Sequence, residues 1–173
     1  DSEDGRVYVY TDLEPYQANQ VFPCFDQPDL KASFTLSVEA PASWTVISAT
    51  RENKTVPSKD GFKLWSFPES AKISTYVFSL HAGPFHEWQS ASGNIPLRLF
   101  ARESLAKYVD VQEWFKITKQ GFGFFQDYFA FDYPFVKFDQ VLVPDFNWGG
   151  MENVAAVTYN DKRFVFRGKT TLT

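Results

Sequence analysis

Residues that build disulfides and metal sites are scarce in this sequence. Among its 173 residues there are one cysteine, Cys24, and two histidines, His81 and His86. A single cysteine excludes an internal disulfide, and Cys24 is better explained as a small buried apolar residue than as a nucleophile. The spacing of these residues does not supply the three protein ligands that a catalytic zinc site needs. The sequence therefore indicates neither a disulfide nor a metal site within this chain.

Long apolar runs and an excess of positive charge are also missing. The apolar runs are far shorter than the roughly 20 residues that cross a membrane. The formal net charge of −4 and the pI near 5.2 argue against a nucleic-acid binder, which needs a concentrated basic face. A single cysteine is compatible with a reducing compartment, and a cytoplasmic location is predicted, with a periplasmic or secreted one left open. No pattern indicates the oligomeric state.

Aromatic side chains, by contrast, are abundant. The chain has 19 Phe, 8 Tyr and 5 Trp, and its hydrophobic fraction is 44%. Such a composition supports a substantial core and argues against disorder. At this length we expect one large domain or two small ones.

The first half of the sequence has the pattern of β-structure. Residues 31–39 alternate between apolar and polar side chains, which is typical of a strand with one face on a core and one toward water. Turn residues at Pro41, 57–61 and Pro68 separate further candidates. These additional strands are predicted at residues 6–10, 44–49, 62–67 and 75–81. Short strands at this spacing predict an antiparallel sandwich.

The second half is predicted to mix a helix with strands. Gly, Ser and Pro cluster at residues 82–96, and we expect a domain boundary near residue 95. From Asp110, a plausible N-cap, apolar residues recur at helical spacing until Tyr133-Pro134. The remaining elements are predicted as strands at 97–101 and 137–144, a loop at 144–150, and a hairpin formed by 155–159 and 163–166.

Two sequence motifs connect the halves. Residues 149–153 read Gly-Gly-Met-Glu-Asn, and far upstream stand Glu14-Pro15, the segment 21–28 (Val-Phe-Pro-Cys-Phe-Asp-Gln-Pro) and 31–34 (Lys-Ala-Ser-Phe). In this order they resemble the exopeptidase motif and the upstream signature of the M1 family of zinc aminopeptidases, in its bacterial aminopeptidase N-like branch. Gly150 stands where the family usually has Ala, and Gln27 where it usually has Glu. The resemblance covers nearly the whole chain.

The resemblance implies a mixed α+β fold in two parts. Residues 1–95 would be the C-terminal part of a saddle-like N-terminal β-domain, and residues 96–173 the opening of a thermolysin-like catalytic domain. The implied activity is the release of N-terminal residues from peptides with a free N-terminus. M1 enzymes bind Zn²⁺ through H-E-x-x-H, but His86-Glu87 is followed by Trp-Gln-Ser. We therefore expect zinc in the full-length protein only, no catalytic residue in this chain, and no activity from it alone.

Three carboxylates are the candidates for recognising the substrate amine. By resemblance, Glu152 of the motif and Glu14 of the upstream segment contact the α-ammonium. A carboxylate suits this task because a charge-assisted hydrogen bond is about twice as strong as a neutral one. Asp12 occupies the position where the family commonly has Gln, and would favour a basic or polar first residue. As alternatives, Glu152 fits a solvated surface residue and Asp12 a turn residue.

The other motif residues are expected to shape the same site. Gly149 and Gly150 allow close approach of a substrate backbone to an edge strand. Met151 would border the pocket for the first residue, with core filling as the alternative. Asn153 is expected to orient the motif rather than to touch substrate.

Two other functions remain open from the sequence alone. One is a non-catalytic module that binds peptide N-termini with the same residues. The other, ranked lower, is a carbohydrate-binding β-sandwich, suggested by Trp44, Trp65 and Trp88. A complete reading frame distinguishes the first from an enzyme, because only an enzyme needs the H-E-x-x-H sequence.

Overall fold

The computed structural model describes residues 1–168, which contain eleven β-strands and two α-helices. The strands and helices, in chain order, are β1 (Val9–Tyr10), β2 (Leu36–Pro41), β3 (Thr45–Ser48), β4 (Lys54–Pro57), β5 (Phe62–Phe67), β6 (Leu80–Gly83), β7 (Phe85–Ser92), β8 (Ile95–Arg102), α1 (Val111–Phe129), β9 (Phe138–Val143), β10 (Gly150–Met151), β11 (Ala156–Asn160) and α2 (Asp161–Phe164). Short 3₁₀ helices lie at Ala18–Gln20, Thr75–Val77 and Glu103–Tyr108. The predicted mixed α+β class is confirmed.

Two three-stranded sheets form the predicted antiparallel sandwich. One has the strand order β2-β5-β4 and the other β1-β6-β3, and all neighbouring strands in both are antiparallel. Small and large apolar residues fill the space between them: Ala40, Val46, Phe67 and Ala82. The sandwich is therefore built from residues that precede Pro84.

The third sheet has five strands in the order β10-β11-β9-β8-β7. Strand β9 is parallel to both of its neighbours, while the two outer pairs are antiparallel. Ile47, next to Val46 on β3, points away from the sandwich and packs with Phe100, Val141 and Val143 of this sheet. Side chains alternate across strands, so the sheet β1-β6-β3 has apolar residues on both faces and lies between the other two sheets.

Helix α1 covers the far face of the five-stranded sheet. Phe115 of the helix packs with Leu97, Leu99 and Leu142 of the sheet. The helix begins as predicted, because the Asp110 side chain accepts a hydrogen bond from the backbone of Glu113 at 3.0 Å. The layers therefore follow in the order sheet β2-β5-β4, sheet β1-β6-β3 (the middle sheet), the five-stranded sheet and helix α1.

A cluster of buried charges joins β8 to β9. Arg98 donates two hydrogen bonds to Asp139, at 2.8 and 2.5 Å, and Lys137 donates one at 2.7 Å. Lys137 also donates to the carbonyl of Ala155 at 2.7 Å. Glu52 lies 3.8 Å from the Arg98 guanidinium. Burial lowers the Lys137 pKa from 10.5 to about 8. The cluster fixes the backbone just after the Gly149–Asn153 segment.

Several sequence predictions are wrong in detail. The predicted strand at 31–39 is continuous only from Leu36, where it pairs with β5, and before that Ala32 forms an isolated antiparallel bridge with Ile73. The segment 75–81 begins as a 3₁₀ helix and becomes a strand only at Leu80. Helix α1 ends at Phe129, before Tyr133-Pro134, because Ala130 takes a left-handed conformation with φ 49°.

One further correction concerns the second half. The hairpin predicted at 155–159 and 163–166 is instead β11 followed by α2, because the Asn160 side chain accepts a hydrogen bond from the Lys162 backbone and starts the helix. Residue 95 lies at the turn of the β7–β8 hairpin, in which all eight residues of β7 pair with β8. The five-stranded sheet thus begins at Phe85, and the division into two domains near residue 95 stays a prediction. No helix within residues 1–168 has the length and apolar character to cross a membrane.

Candidate functional site

The Gly149–Asn153 segment lies at one edge of the five-stranded sheet. It follows β9 through the loop 144–149 and forms the short strand β10. Gly150 pairs with Tyr159, Met151 pairs with Thr158, and the Gly149 carbonyl accepts a hydrogen bond from the Asn160 backbone at 3.0 Å. Within the described residues, the other side of β10 has no strand partner.

Side chains of this segment alternate between the core and the surface. Met151 and Asn153 are both 2% exposed, whereas Glu152 between them is exposed. Met151 packs in the cluster between the middle sheet and the five-stranded sheet. Its position favours core filling over a role at the rim of a pocket. Glu152 is therefore presented to solvent by a backbone that is anchored on both sides of it.

The upstream acidic residues follow β1 on the middle sheet. Thr11 exchanges two hydrogen bonds with Leu80, since its backbone donates to the Leu80 carbonyl at 3.1 Å and its hydroxyl accepts from the Leu80 backbone at 3.0 Å. Leu13, 2% exposed, belongs to the same hydrophobic cluster as Met151. Asp12 and Glu14 flank Leu13 and are half-buried. One core cluster thus joins the two acidic segments.

Asp12 has an unusual environment among these carboxylates. Its Oδ1 atom is buried without a hydrogen-bond partner among the described residues. Burial raises the pKa of this carboxyl above its ordinary value. An incompletely paired carboxylate of this kind is suited to a ligand that donates hydrogen bonds.

The two glycines are packed differently. A Cβ atom on Gly150 would lie 3.3 Å from Cδ1 of Tyr159, closer than most such contacts, and 3.4 Å from the carbonyl of Thr158. On Gly149, it would lie 3.4 Å from Nη1 of Arg163, an ordinary contact. Gly150 is thus explained in part by its own sheet, because the missing Cβ leaves room for the Tyr159 ring.

Asn153 is anchored by hydrogen bonds to two layers. Its Nδ2 donates to the Phe78 carbonyl at 3.3 Å, and its Oδ1 accepts from the Thr158 hydroxyl at 2.7 Å. The same hydroxyl lies 2.8 Å from Nε2 of His81. The next backbone amide, that of Val154, donates to the Val77 carbonyl at 3.1 Å. This arrangement fits the expectation that Asn153 orients the motif.

No sequence pattern indicated that His81 and Thr158 belong to this arrangement. They are separated by 77 residues and both are completely buried. Burial, with a smaller effect of Lys137, lowers the His81 pKa from 6.5 to about 3. The imidazole is therefore neutral at physiological pH. From the sequence, only the position of both side chains on the core-facing side of their strands could have been inferred.

Comparison with known sequences identifies the family. The Peptidase M1 N-terminal domain matches residues 1–77, and the Peptidase family M1 domain matches residues 113–173. The chain belongs to the M1 peptidase family. It is 43% identical to aminopeptidase N of Streptomyces lividans, over 99% of this chain and 20% of that protein. It is 33% identical to glutamyl aminopeptidase of Mus musculus (95% and 18%) and 30% identical to aminopeptidase N of Oryctolagus cuniculus (93% and 17%).

This M1 chain spans about a fifth of the length of the curated relatives it matches. The fold agrees with the family, as a β-rich first part is followed by the start of the second domain. M1 peptidases generally depend on zinc, but the residues described here do not fit a zinc site. His86 lies on β7, 3.3 Å from a Glu103 oxygen, and His81 is bonded inside the core. Residues 1–168 contain no group of three or more His, Cys, Asp or Glu residues suited to a metal ion.

The tryptophans do not form a common surface in this M1 chain. Trp44 and Trp65 pack against the core of the sandwich, while Trp88 packs on the helix side of the five-stranded sheet. Trp88 also lies against His86, with ring centroids 4.4 Å apart. A carbohydrate platform needs exposed rings side by side, so nothing in this arrangement supports that alternative.

Proposed function

We propose that this chain is the substrate-recognition part of a zinc-dependent aminopeptidase that releases N-terminal residues from peptides. The observation that carries the proposal is the exposed carboxylate of Glu152 between two buried anchors, Met151 and Asn153. The names of the relatives, aminopeptidase N and glutamyl aminopeptidase, support it. Its partners are peptides with a free N-terminus. A cytoplasmic location remains a prediction.

Glu152 and Glu14 bind the α-ammonium group of the substrate in this proposal. A hydrogen bond to a charged group contributes roughly 1.5–3 kcal/mol, more than a neutral one. An internal peptide bond offers no positive charge, so it would leave the carboxylates desolvated and unpaired. The two effects act together and favour the free N-terminus.

Strand β10 binds the substrate backbone. An extended peptide can add to an exposed sheet edge through main-chain hydrogen bonds. Gly150 is exposed at this edge, within the part of the chain that the structure describes. Edge pairing would align the substrate with its amino end beside Glu152.

Zinc and the groups that activate water are supplied by sequence outside residues 1–168 in this proposal. We therefore expect the 173-residue chain alone to hydrolyse no aminoacyl chromogenic substrate, even with added zinc. Turnover above a control without protein would contradict this part of the proposal.

The decisive experiment replaces Glu152 in the full-length enzyme. Removing one member of a desolvated charge pair costs roughly 2–5 kcal/mol. We expect Glu152→Ala to lower kcat/KM for substrates with a free amine by about ten- to a few-thousandfold. Glu14→Ala should act in the same direction, and the double variant should be non-additive because both carboxylates bind one ammonium.

The controls separate recognition of the amine from general damage. Substrates with a blocked amine should be poor for the parent enzyme and should lose little on Glu152→Ala. Glu113→Ala changes an exposed glutamate on α1 and should leave both activities unchanged. Equal losses for free and blocked substrates would show that Glu152 does not recognise the amine.

Asp12 is proposed to influence the preferred first residue. Its unpaired Oδ1 would accept a hydrogen bond from a basic or polar side chain. Asp12→Asn should lower the ratio of kcat/KM for lysyl over leucyl substrates in the full-length enzyme. An unchanged ratio would favour the alternative role of Asp12 as a turn residue.

A further inference from the structure

Three buried side chains form a continuous hydrogen-bonded path from the middle sheet to the residue after Glu152. His81 lies on β6, Thr158 on β11, and Asn153 directly follows the motif glutamate. His81 and Thr158 are completely buried, and Asn153 is 2% exposed. The distances along the path are 2.8 Å from His81 Nε2 to Thr158 Oγ1 and 2.7 Å from Thr158 Oγ1 to Asn153 Oδ1. We call these three residues the buried polar path.

The donor and acceptor groups assign a direction to each hydrogen bond in the path. A hydroxyl has one proton, and that of Thr158 is donated to Asn153 Oδ1. With this assignment Thr158 accepts from His81, and the neutral imidazole has its proton on Nε2. At the other end, Asn153 Nδ2 donates to the Phe78 carbonyl. The Asn153 amide is thus fixed by both its oxygen and its nitrogen.

The path connects the two layers that contribute the candidate carboxylates. Strand β6 pairs with β1, and the segment after β1 contains Glu14. The β6 layer also contacts the motif through the Val154–Val77 backbone bond. Glu152 is one residue from the end of the path. A shift at Thr158 would consequently move Glu152 relative to Glu14.

Packing alone does not require polar groups at these positions. Buried polar side chains cost free energy unless they are paired. Apolar side chains of the same shape would fill the space without this desolvation cost. Hydrogen bonds add a directional constraint that apolar contacts lack. A role in orientation explains this arrangement better than a role in stability.

We propose that His81, Thr158 and Asn153 are positioning residues that set the placement of Glu152 relative to Glu14, and with it the selectivity for a free α-amine. This inference rests on the proposed function. The residues do not touch substrate, and they act only through the backbone of the motif.

The test measures the inhibition constant Ki in the full-length enzyme for two competitive inhibitors, one with a free α-amine and its analogue without the amine. Ki does not depend on the concentration of active enzyme, so a partly unfolded preparation does not change it. Thr158→Val removes the hydroxyl at nearly constant shape. It should raise Ki for the amine-bearing inhibitor about three- to tenfold, and Ki for the analogue less than about twofold.

Further variants distinguish positioning from general damage. Thr158→Ser keeps the hydroxyl and should restore the parental Ki ratio. His81→Phe should act like Thr158→Val, whereas His81→Gln keeps an N–H donor and should be milder. Gln140→Met is the matched control. Gln140 pairs with Val157 in the same sheet, is buried, and faces α1 through its bond to Trp114, so its loss should leave the ratio unchanged.

Each outcome has a separate meaning. If Thr158→Val changes both inhibition constants equally, or not at all, the positioning role is wrong. Glu152→Gln in the same assay tests the proposed function itself and should raise Ki for the amine-bearing inhibitor alone. A selective effect of Glu152→Gln without one of Thr158→Val rejects the inference and leaves the proposed function in place. No selective effect of Glu152→Gln rejects both.

Discussion

The two layers that cover the five-stranded sheet differ in how much of their own surface is buried. Toward the middle sheet, Phe100, Val141 and Val143 are completely buried, and the charged cluster and the buried polar path lie among them. On the other face, Leu97, Leu99 and Leu142 are also completely buried, but helix α1 above them has one buried residue, Phe115, while Phe125 and Tyr128 are 55% and 71% exposed. The motif is thus held on the side of the middle sheet, and the exposed apolar surface lies on the side of the helix.

The largest expected effect comes from the charged cluster on the face toward the middle sheet. Asp139 accepts three hydrogen bonds from Arg98 and Lys137. Asp139→Ala removes the carboxylate that two buried cations share, which should lower the free energy of unfolding by about 3–5 kcal/mol. Urea unfolding of the 173-residue chain measures this loss. Asp132→Ala, at an exposed position near the end of α1, is the control and should change stability by less than about 0.5 kcal/mol.

Acid should weaken the same face through His81. Its pKa is about 3 in the folded chain because burial disfavours the imidazolium, against 6.5 when unfolded. Between these values the unfolded chain binds the extra proton, so the free energy of unfolding falls as pH decreases, by at most about 1.4 kcal/mol per pH unit. Other groups titrate in this range too, so the prediction concerns the difference from His81→Gln. The prediction would be contradicted if the free energy of unfolding had the same pH dependence in the parental chain and in His81→Gln between pH 6.5 and 3.

A smaller effect is expected where α1 meets the sheet. The Trp114 indole donates to the Gln140 side chain at 3.0 Å. Trp114→Phe removes this donor and part of the ring, and should lower the free energy of unfolding by about 1–2 kcal/mol. Thermal unfolding checks the value. A loss as large as that of Asp139→Ala would mean that the helix side contributes as much stability as the motif side.

The smallest effect is expected at the exposed aromatics of α1. Phe125→Ser should change the free energy of unfolding by less than about 0.5–1 kcal/mol, because the ring is more than half exposed. The same variant should reduce binding of a hydrophobic fluorescent dye, since exposed apolar patches bind such probes. Unchanged dye binding would show that the dye binds to an apolar surface other than that of Phe125.

Elements were predicted correctly where the local sequence pattern and the contacts in the folded chain favour the same secondary structure. Strand β5 and the start of α1 at Asp110 agree with the prediction, because alternation and capping are local properties. Strand β7 was missed because Gly83-Pro84 and the Ser-Ala-Ser-Gly segment resemble a linker. Its extended conformation comes from pairing with β8. The hairpin predicted at 155–159 and 163–166 was wrong because the Asn160 side chain between these segments caps a helix.

The site could be predicted only in part. Glu152, Glu14 and Asn153 were identified through the motifs, and their roles in binding stay predictions. His81 was recognised only as an unsuitable zinc ligand, because its contact with Thr158 joins two strands far apart in sequence. The crowding at Gly150 likewise depends on Tyr159 of the neighbouring strand. Such relations arise from sheet topology and leave no local pattern.

The short connection at Pro84 has a consequence for exchanging parts between M1 peptidases. The regions that match the two M1 domains end at residue 77 and resume at residue 113, yet β6, β7 and β8 lie in between. A chimera joined at residue 77 would separate β1 and β3 from the strand they share. One joined at Pro84 would keep every strand with all its hydrogen-bonded neighbours. If the proposed recognition role is right, substrate preference is transferred between relatives by whole sheets, and the buried polar path is the interface that must be matched.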